Sequence, residues 1–519
     1  MTAGTTTREA AKTDGSATPR GRRALVIRPP FDDVVAGITV ALVLIPQSLA
    51  YAALAGLPPS AGLMAAIFPP LIAAVFASSP YLQTGPTALT SLLTLGVLAA
   101  SFVPGSPGYL GAAALLALLV GVVRVLLGFL RFGTVAYFMS LPVMRGFTSG
   151  AAVLIIASQL PAVFGRGSEG LGVWRAAWRA LSAPTSINLI AVALAVATYF
   201  IIRGSRRLSP LLPGVLLAAL TGLTVTAIFG RLVPVIGPLP ATLPLPNLDL
   251  PWNSVGDLAL GAVVIALIGF AEPAAIARTF ADRSRPWNAD RELLAQGAAN
   301  LAAGVMHGMP VGGSFSRSAL ARQAGARTRF TGAVAGLVVL AFFPFAEVLA
   351  GLPRAVLAAI VITSSLSLLQ LGALLRLWRY AKLQASTALA TFALTLVLAP
   401  RIDYAIVLGI MLALFTHLYR EAQLGVTVER QDEVVTMRFD GVLWFGSLQS
   451  LERALLRLES DLDGIERVVL DTARLGRIDF SALMLIYDAE RRLSDAGLEV
   501  KIEGLHGRGE MIMGRIRRG

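Results

Sequence analysis

Long apolar stretches separated by short polar loops fill the chain from about Val34 to Leu418. Most of them run for roughly 18 to 22 residues, the length that an α-helix needs to cross a lipid bilayer. The third and the tenth stretches are too short to cross fully as helices. The pattern predicts fourteen transmembrane segments, near 33–55, 60–78, 86–101, 109–130, 134–160, 187–202, 209–229, 255–277, 292–306, 315–323, 330–350, 353–373, 378–398 and 402–419.

The pattern changes after His417. Residues 424–519 first alternate apolar and polar positions, as in VVTMRF, and helical segments such as LQSLERALLRLES then alternate with short apolar strands such as RVVLD. Alternating strands and helices are typical of a small α/β domain. We therefore expect three parts: a disordered basic tail over 1–30, a transmembrane domain over 31–422 and an α/β domain over 423–519.

Composition and charge support this division. Hydrophobic residues make up 55% of the chain and charged residues only 14%, whereas a soluble protein carries about a quarter charged residues. The basic residues behind the net charge of +13 lie mostly in the tail and in short loops. This is the positive-inside pattern of a membrane protein, so we expect no nucleic-acid partner. It predicts a multi-pass protein of the inner (plasma) membrane, with the N-terminus and the α/β domain in the cytoplasm.

Two stretches within the apolar region share a design, QTGPTALTS at 83–91 and GMPVGGSFSRSA at 308–319. Each combines glycine and proline with a short hydroxyl-rich segment, about one third of the way into its half of the region. Short or broken spans at corresponding positions of two halves indicate the midplane binding site of a secondary transporter. Helices that begin inside the membrane direct their free N–H groups to one place, which suits an anion. Seven segments in each half predict inverted repeats over about 31–230 and 252–422.

Several classes of function are excluded by what the sequence lacks. The chain contains no cysteine, so it has neither disulfides nor thiolate metal sites. It shows no Walker A motif, no metal-ligand cluster and no hydrolytic triad. We therefore expect no enzymatic activity, no ATP-driven step, no metal and no cofactor.

Five segments carry a family signature: PQSLAYAALAG (46–56), GPTALTS (85–91), GFAEPAAIARTFA (269–281), RELLAQGAANLAAG (291–304) and GSFSRSALARQAG (313–325). Together they resemble the SulP (sulfate permease) family of anion transporters, and LDTARLGRIDFSAL in the tail domain resembles the family's C-terminal STAS domain. The resemblance covers roughly residues 30–510. It implies an α-helical polytopic membrane protein with fourteen segments in a seven-plus-seven inverted repeat, a core domain and a gate domain, a cytoplasmic α/β STAS domain and a homodimer.

The short tenth segment supplies the first candidate site residues. Arg317 lies at its opening, where a buried guanidinium needs an anionic partner and its planar fork suits an oxyanion. Ser316 and Arg317 match the substrate-site positions of the SulP family. Two alternatives remain, a structural ion pair between Arg317 and Glu272 or a cytoplasmic arginine at a helix end. On the third segment, Pro86 is expected to start the helix, so that Thr87 and Ala88 present backbone N–H groups to the anion.

The other candidates lie on longer segments. Gln47 and Tyr51 are one turn apart on the first segment and resemble pocket-lining positions of the family, although Tyr51 could equally be a core aromatic. Glu272 is the only acid within the eighth segment, and an acid at membrane depth is a functional hypothesis. We expect it to carry the coupling ion, with a proton favoured over sodium; the alternative is a fixed counter-charge for Arg317. Gln296 and Asn300 are expected to support this region by hydrogen bonds.

These observations predict secondary active transport of a small anion of the sulfate, bicarbonate or dicarboxylate class, as proton-coupled symport with alternating access across the lipid bilayer. The alternatives are an anion channel or exchanger on the same fold, a nucleobase transporter, and a membrane receptor that signals through its STAS domain.

Overall fold

The structure is a computed structural model, and it describes residues 30–134, 140–167, 171–183, 187–240, 242–281, 286–460 and 463–518. The predicted disordered tail over 1–30 lies outside these residues, apart from Pro30.

The described chain up to Glu421 is mainly helical. The first half contains α1 (Phe31–Leu54), α2 (Pro59–Phe76), α3 (Ala88–Leu98), α4 (Pro107–Phe129), α5 (Leu141–Val163), α6 (Val173–Ser182), α7 (Leu189–Leu208) and α8 (Gly214–Phe229). The second half contains α9 (Val255–Thr279), α10 (Ala289–Val305), α11 (Phe315–Gln323), α12 (Phe330–Phe342), α13 (Arg354–Ser365), α14 (Leu371–Tyr380), α15 (Lys382–Val397) and α16 (Ile402–Glu421). Two-residue strands, β1 (Thr84–Gly85) and β2 (Gly312–Gly313), precede α3 and α11.

Nine helical stretches of the described residues are long and apolar enough to cross a membrane. The five remaining predicted segments coincide with α3, α8, α10, α11 and α15, which have 11, 16, 17, 9 and 16 residues. The count of fourteen crossings therefore stays a prediction. The predicted segment 378–398 is wrong at its start, because α14 ends at Tyr380 and α15 begins at Lys382. The amphipathic α14 contains Arg376 and Arg379, and a rule based on apolar length does not recognise such a helix.

The sixteen helices pack as two groups. In the first helix group, α1–α4 pack against α9–α12, with the most extensive contacts between α4 and α10, α2 and α12, and α2 and α10. In the second helix group, α5–α8 pack with α13–α16, chiefly through α5 against α15 and α13 against α5 and α7. Helix α1 touches α8 and α13, and α16 touches α3 and α9, so the groups meet along these helices. Each group takes the same part of both halves, as an inverted repeat requires.

The C-terminal region forms an α/β domain, as the sequence predicts. Its elements are β3 (Gly425–Gln431), β4 (Val434–Leu443), α17 (Leu448–Glu459), β5 (Arg467–Asp471), β6 (Leu475–Ile478), α18 (Phe480–Asp495), β7 (Glu499–Glu503) and α19 (Arg508–Ile516). The sheet order is β3-β4-β5-β7, with β3–β4 antiparallel and β4–β5 and β5–β7 parallel; β6 pairs with β4. Val435, Met437 and Phe439 alternate into the buried face of β4, which explains the period of two in VVTMRF.

Candidate functional site

The two glycine-rich stretches meet inside the first helix group. Strands β1 and β2 pair antiparallel, with Thr84 opposite Gly313 and Gly85 opposite Gly312. Glycine is needed here: Gly85 has a φ of 152°, and a Cβ at Gly313 would lie 2.7 Å from the Leu82 side chain. Each strand leads directly into a short helix, so the N-termini of α3 and α11 lie at the same crossing.

The N-terminus of α3 is closed by its own hydroxyl groups. Thr87 is the N-cap, its Oγ1 accepts a hydrogen bond from the Thr90 N–H at 3.2 Å, and the Thr87 N–H donates to Thr90 Oγ1 at 3.3 Å. The helix therefore begins at Ala88, and the prediction that Pro86 starts it is wrong, because the capping bonds hold Thr87 in an extended conformation. In this state the Thr87 N–H is engaged, whereas Ala88 is the first helical residue, whose N–H has no partner within a helix.

The N-terminus of α11 is more polar. Ser314 is the N-cap. Its Oγ lies 3.3 Å from Ser316 Oγ and accepts a hydrogen bond from the Arg317 N–H at 3.4 Å. The carboxylate of Glu272, on α9, lies close to the Phe315 N–H. Phe315 and Ser316 are exposed, so this helix end borders an opening. A negative group already sits on the positive end of the helix dipole.

Arg317 lies behind this opening and is only 1% exposed. Its Nη1 donates to Gln47 Oε1 at 3.2 Å and its Nη2 to the Pro86 carbonyl at 2.9 Å, which joins α11 to α1 and to the start of α3. Its Nε is buried and has no hydrogen-bond partner among the described residues. No salt bridge to Arg317 occurs within the described residues, and Glu272 acts on it only through longer-range electrostatics.

Gln47 and Tyr51 both lie buried on α1, but they face different partners. Gln47 bonds to Arg317 within the first helix group, whereas Tyr51 lies next to the side chain of Ser364 on α13. Tyr51 thus lies where the two helix groups meet, beside the crossing. Ser364 carried no sequence signal, because a lone serine near the end of an apolar helix is indistinguishable from one that bonds to its own backbone.

Helix α10 supports the crossing from behind, as expected for Gln296 and Asn300. Gln296 Nε2 donates to Thr84 Oγ1 at 2.8 Å. Asn300 bonds to both sides of the Val311 peptide, with its Oδ1 accepting the N–H at 3.0 Å and its Nδ2 donating to the carbonyl at 3.1 Å. These bonds hold the chain just before β2, where the backbone has no helix to satisfy it.

Arg124, on α4, is a second buried arginine, which our sequence reasoning did not single out. It is 0% exposed, and its guanidinium donates to the carbonyls of Ala266 (3.1 Å), Val311 (3.0 Å) and Ile265 (3.1 Å). The signal was present, since any ionisable residue within a predicted transmembrane segment indicates function.

The crossing therefore collects donors for an anion: the N-termini of two helices, the hydroxyl of Ser316 and the guanidinium of Arg317. No group of three or more His, Asp or Glu residues suited to a metal ion occurs in the described part of the chain. The arrangement is that of a site for a small anion held by backbone and side-chain donors.

Comparison with known proteins agrees with this reading. A model of the Sulfate permease family matches residues 31–391, and one of the STAS domain matches residues 425–517. A "Probable sulfate transporter" of Mycobacterium tuberculosis is 34% identical over 479 residues, which cover 87% of this chain and 85% of the relative.

Two solved structures share the fold. The murine Solute Carrier 26 family member A9 anion transporter in the inward-facing state has a TM-score of 0.86 at 18% identity, covering 94% of this chain and 88% of that one. The transmembrane domain of the cyanobacterial bicarbonate transporter BicA has a TM-score of 0.63 at 23% identity, covering 74% of this chain and 97% of that one.

Proposed function

Because the chain belongs to the sulfate permease family and is therefore an anion transporter, we propose that it takes up a small anion together with protons as a secondary active symporter. The substrate class is sulfate, bicarbonate or a dicarboxylate. One observation carries the proposal: two helix N-termini and a buried guanidinium meet at one crossing, with no carboxylate bonded to the guanidinium among the described residues.

The substrate binds, in this proposal, between the N-termini of α3 and α11. Arg317 turns its unpartnered Nε and its two Nη groups to the anion, and Ser316 adds a hydroxyl at the exposed edge. Ala88 contributes a backbone N–H, and Thr87 does so once its bond to Thr90 opens. Charge-assisted bonds to an arginine fork are among the strongest that a protein offers an oxyanion.

Glu272 is proposed to carry the coupling proton. Its carboxylate lies close to the Phe315 N–H, at the helix end where the anion arrives. Two negative groups at one helix end repel each other, so anion binding favours protonation of Glu272. Uptake into a cell at −100 mV inside costs about 2.3 kcal/mol per negative charge, which protons carried with the anion offset.

Alternating access is proposed to be movement of the first helix group, as core domain, against the second, as gate domain. The contacts between the groups are fewer than those within them, and Tyr51 and Ser364 lie next to each other across the boundary, beside the crossing. Movement along this boundary changes the side of the membrane from which Arg317 is accessible, while the binding site keeps its structure. In this proposal the repeats run over about 31–230 and 252–422, and residues 423–519 form the STAS domain.

The remaining parts of the proposal concern placement. The basic loops support a plasma membrane protein whose N-terminus and STAS domain are cytoplasmic, and the family resemblance supports a homodimer. The family consists of transporters, which implies no enzymatic reaction for this chain.

The test is uptake by proteoliposomes that contain the full chain. Labelled sulfate, bicarbonate and a C4-dicarboxylate are each supplied with and without an imposed inward proton or sodium gradient. Accumulation driven by the proton gradient is the expected result. Flux that follows only the voltage would indicate a channel, flux that requires a trans anion an exchanger, and binding without flux a receptor; each would overturn the symport proposal.

A further inference from the structure

We propose that Arg124 is a specificity-determining residue, a second permanent positive charge that makes the anion site prefer divalent over monovalent anions. The proposal rests on the anion site described above. It concerns the net charge of the preferred substrate. Neither Arg317 nor the two helix N-termini determine that charge on their own.

Arg124 lies directly behind the crossing. Its Nη1 bonds to the carbonyl of Val311, the residue that precedes β2. Its Nη2 fills the space left by the missing side chain of Gly269 on α9, where a Cβ would lie only 2.5 Å away; the same Cβ would be 3.6 Å from the Thr90 side chain in the first turn of α3. Gly312 of β2 in turn borders Thr90 and the Gly269 carbonyl. The guanidinium thus lies one layer behind both strands and α3.

Hydrogen bonding does not account for an arginine at this position. The Ile265 and Ala266 carbonyls lie within α9, where the helix itself supplies their donors, and the Val311 carbonyl also accepts from Asn300 Nδ2. None of the three would be left unpaired without Arg124. Burying a guanidinium among neutral carbonyls carries a desolvation cost that a neutral side chain would avoid. A structural role alone gives no reason for the charge.

The buried charges around the crossing do not balance. Arg124 and Arg317 form no salt bridge within the described residues, and Glu272 is the acid whose charge acts on Arg317. The other buried acids have local partners: Asp33 accepts from the backbone of Arg327 and Thr328 and from two hydroxyls, Glu292 accepts from Ser78 and Ser79, and Asp403 pairs with Arg401.

This imbalance favours a doubly charged substrate. When Glu272 is protonated, as proposed for the loaded transporter, two positive charges remain, and a divalent anion neutralises both. A monovalent anion leaves one uncompensated charge in a region of low dielectric constant. For a charge placed about 10 Å from the anion, at an effective dielectric constant of about 20, Coulomb's law gives the extra negative charge about a tenfold effect on affinity.

The test compares two probes, labelled sulfate and nitrate, in proteoliposomes with full-length variants. The measured quantity is the ratio of the half-saturating concentrations of nitrate and sulfate. Wild type is expected to prefer sulfate, Arg124→Gln and Arg124→Met are expected to lower the ratio about tenfold, and Arg124→Lys, which keeps the charge, is expected to retain it. The neutral variants should melt at or above the wild-type temperature, because they remove a buried charge.

Gly269→Ala is the packing control, since it pushes on the guanidinium but keeps its charge. It should lower the melting temperature and leave the ratio unchanged. Equal loss of sulfate and nitrate transport in the two neutral variants, at a reduced melting temperature, would show a structural clamp and overturn the proposal; so would a wild type that prefers nitrate. If wild type transports neither probe nor any other anion, the proposed function fails instead.

Discussion

The two short helices that meet at the crossing have the same backbone design and different chemistry. Both α3 and α11 follow a two-residue strand and begin with a hydroxyl N-cap, Thr87 and Ser314 respectively. Around α3 the polar groups are neutral and satisfy one another, as in the Thr87–Thr90 capping box. Around α11 there are two charges, Glu272 close to the Phe315 N–H and Arg317 in the first turn of the helix.

This difference teaches how an inverted repeat becomes a selective site. The repeat supplies two helix dipoles that point to one place, which is a property of the backbone. In our proposal the second half supplies the charged groups at the crossing itself, Arg317 and Glu272, whereas the first half supplies the backbone N–H groups of α3 and, one layer behind the crossing, Arg124. Changes at the N-termini of α3 and α11 should therefore have different consequences.

The largest effect is expected for Arg317→Ala, which should lower anion uptake by about a hundredfold while the protein still folds. Removing a charged hydrogen-bond partner costs about 1.5–3 kcal/mol. Half-saturation by labelled substrate in proteoliposomes is the measurement. Arg322→Ala, an exposed arginine on the same helix, is the control and should leave the affinity near wild type. An unchanged affinity in Arg317→Ala would contradict the assignment of Arg317 as the charged substrate-binding group that distinguishes α11 from α3.

Glu272→Gln is expected to abolish concentrative uptake driven by an inward proton gradient, while downhill exchange of the anion persists. Glutamine keeps the size of the side chain and can still accept from the Phe315 N–H, but it cannot take up a proton. The accumulation ratio at an imposed pH gradient is the measurement, and Asp257→Asn, an exposed acid on the same helix, is the matched control. A variant that still concentrates substrate would mean that the proton is carried elsewhere.

At the N-terminus of α3, Thr87→Ala should cost about 1 kcal/mol of stability, because it removes the N-cap of α3 but keeps the backbone N–H. Its effect on substrate affinity should be much smaller than that of Arg317→Ala. Thr94→Ala, which changes a hydroxyl bonded only to the Thr90 carbonyl, controls for loss of a buried threonine in the same helix. Thermal unfolding and uptake together test this, and an affinity loss equal to that of Arg317→Ala would make the two helices equivalent.

The smallest effect on affinity is expected for truncation after Glu421, which removes the STAS domain. The crossing is complete before residue 330, and the contacts of the domain to the helices include a hydrogen bond of 3.0 Å from Trp444 Nε1 to the Glu421 carbonyl. Substrate affinity should stay within about threefold of wild type, although turnover can fall. Trp444→Ala in the full chain separates loss of this contact from loss of the domain. Abolished binding by a well-folded truncated protein would place the STAS domain in the permeation route.

Much of the fold could be read from the sequence because bilayer length and strand alternation are strong constraints. Most predicted segments coincide with helices, and the two short ones are the half-spans at the crossing. The structure joins two of the candidate site residues, Gln47 and Arg317, by a hydrogen bond. The predicted segment 378–398 begins too early because it takes in the end of the amphipathic helix α14.

Side-chain direction was harder to predict. Spacing could not tell that Glu272 lies close to the Phe315 N–H and forms no salt bridge with Arg317, nor that Tyr51 lies next to Ser364 on the second helix group. The Pro86 prediction failed because two threonine hydroxyls determine where α3 begins. Arg124 was missed although its position within an apolar segment was visible, because its partners are carbonyls that no motif marks.

The crossing also has a consequence for how the protein is made. The hydrogen bond between the Gln83 N–H and Ser318 Oγ joins positions 235 residues apart. A ribosome that adds about 5–20 residues per second needs roughly ten to fifty seconds to synthesise the intervening chain. During that time β2 has not been made, so the backbone groups of β1 have no strand to pair with. Unpaired backbone N–H and C=O groups are unstable in contact with lipid. The unpaired segment of the first half must therefore be shielded from lipid, either by the insertion machinery or by its own neighbouring helices, until the second half has been synthesised.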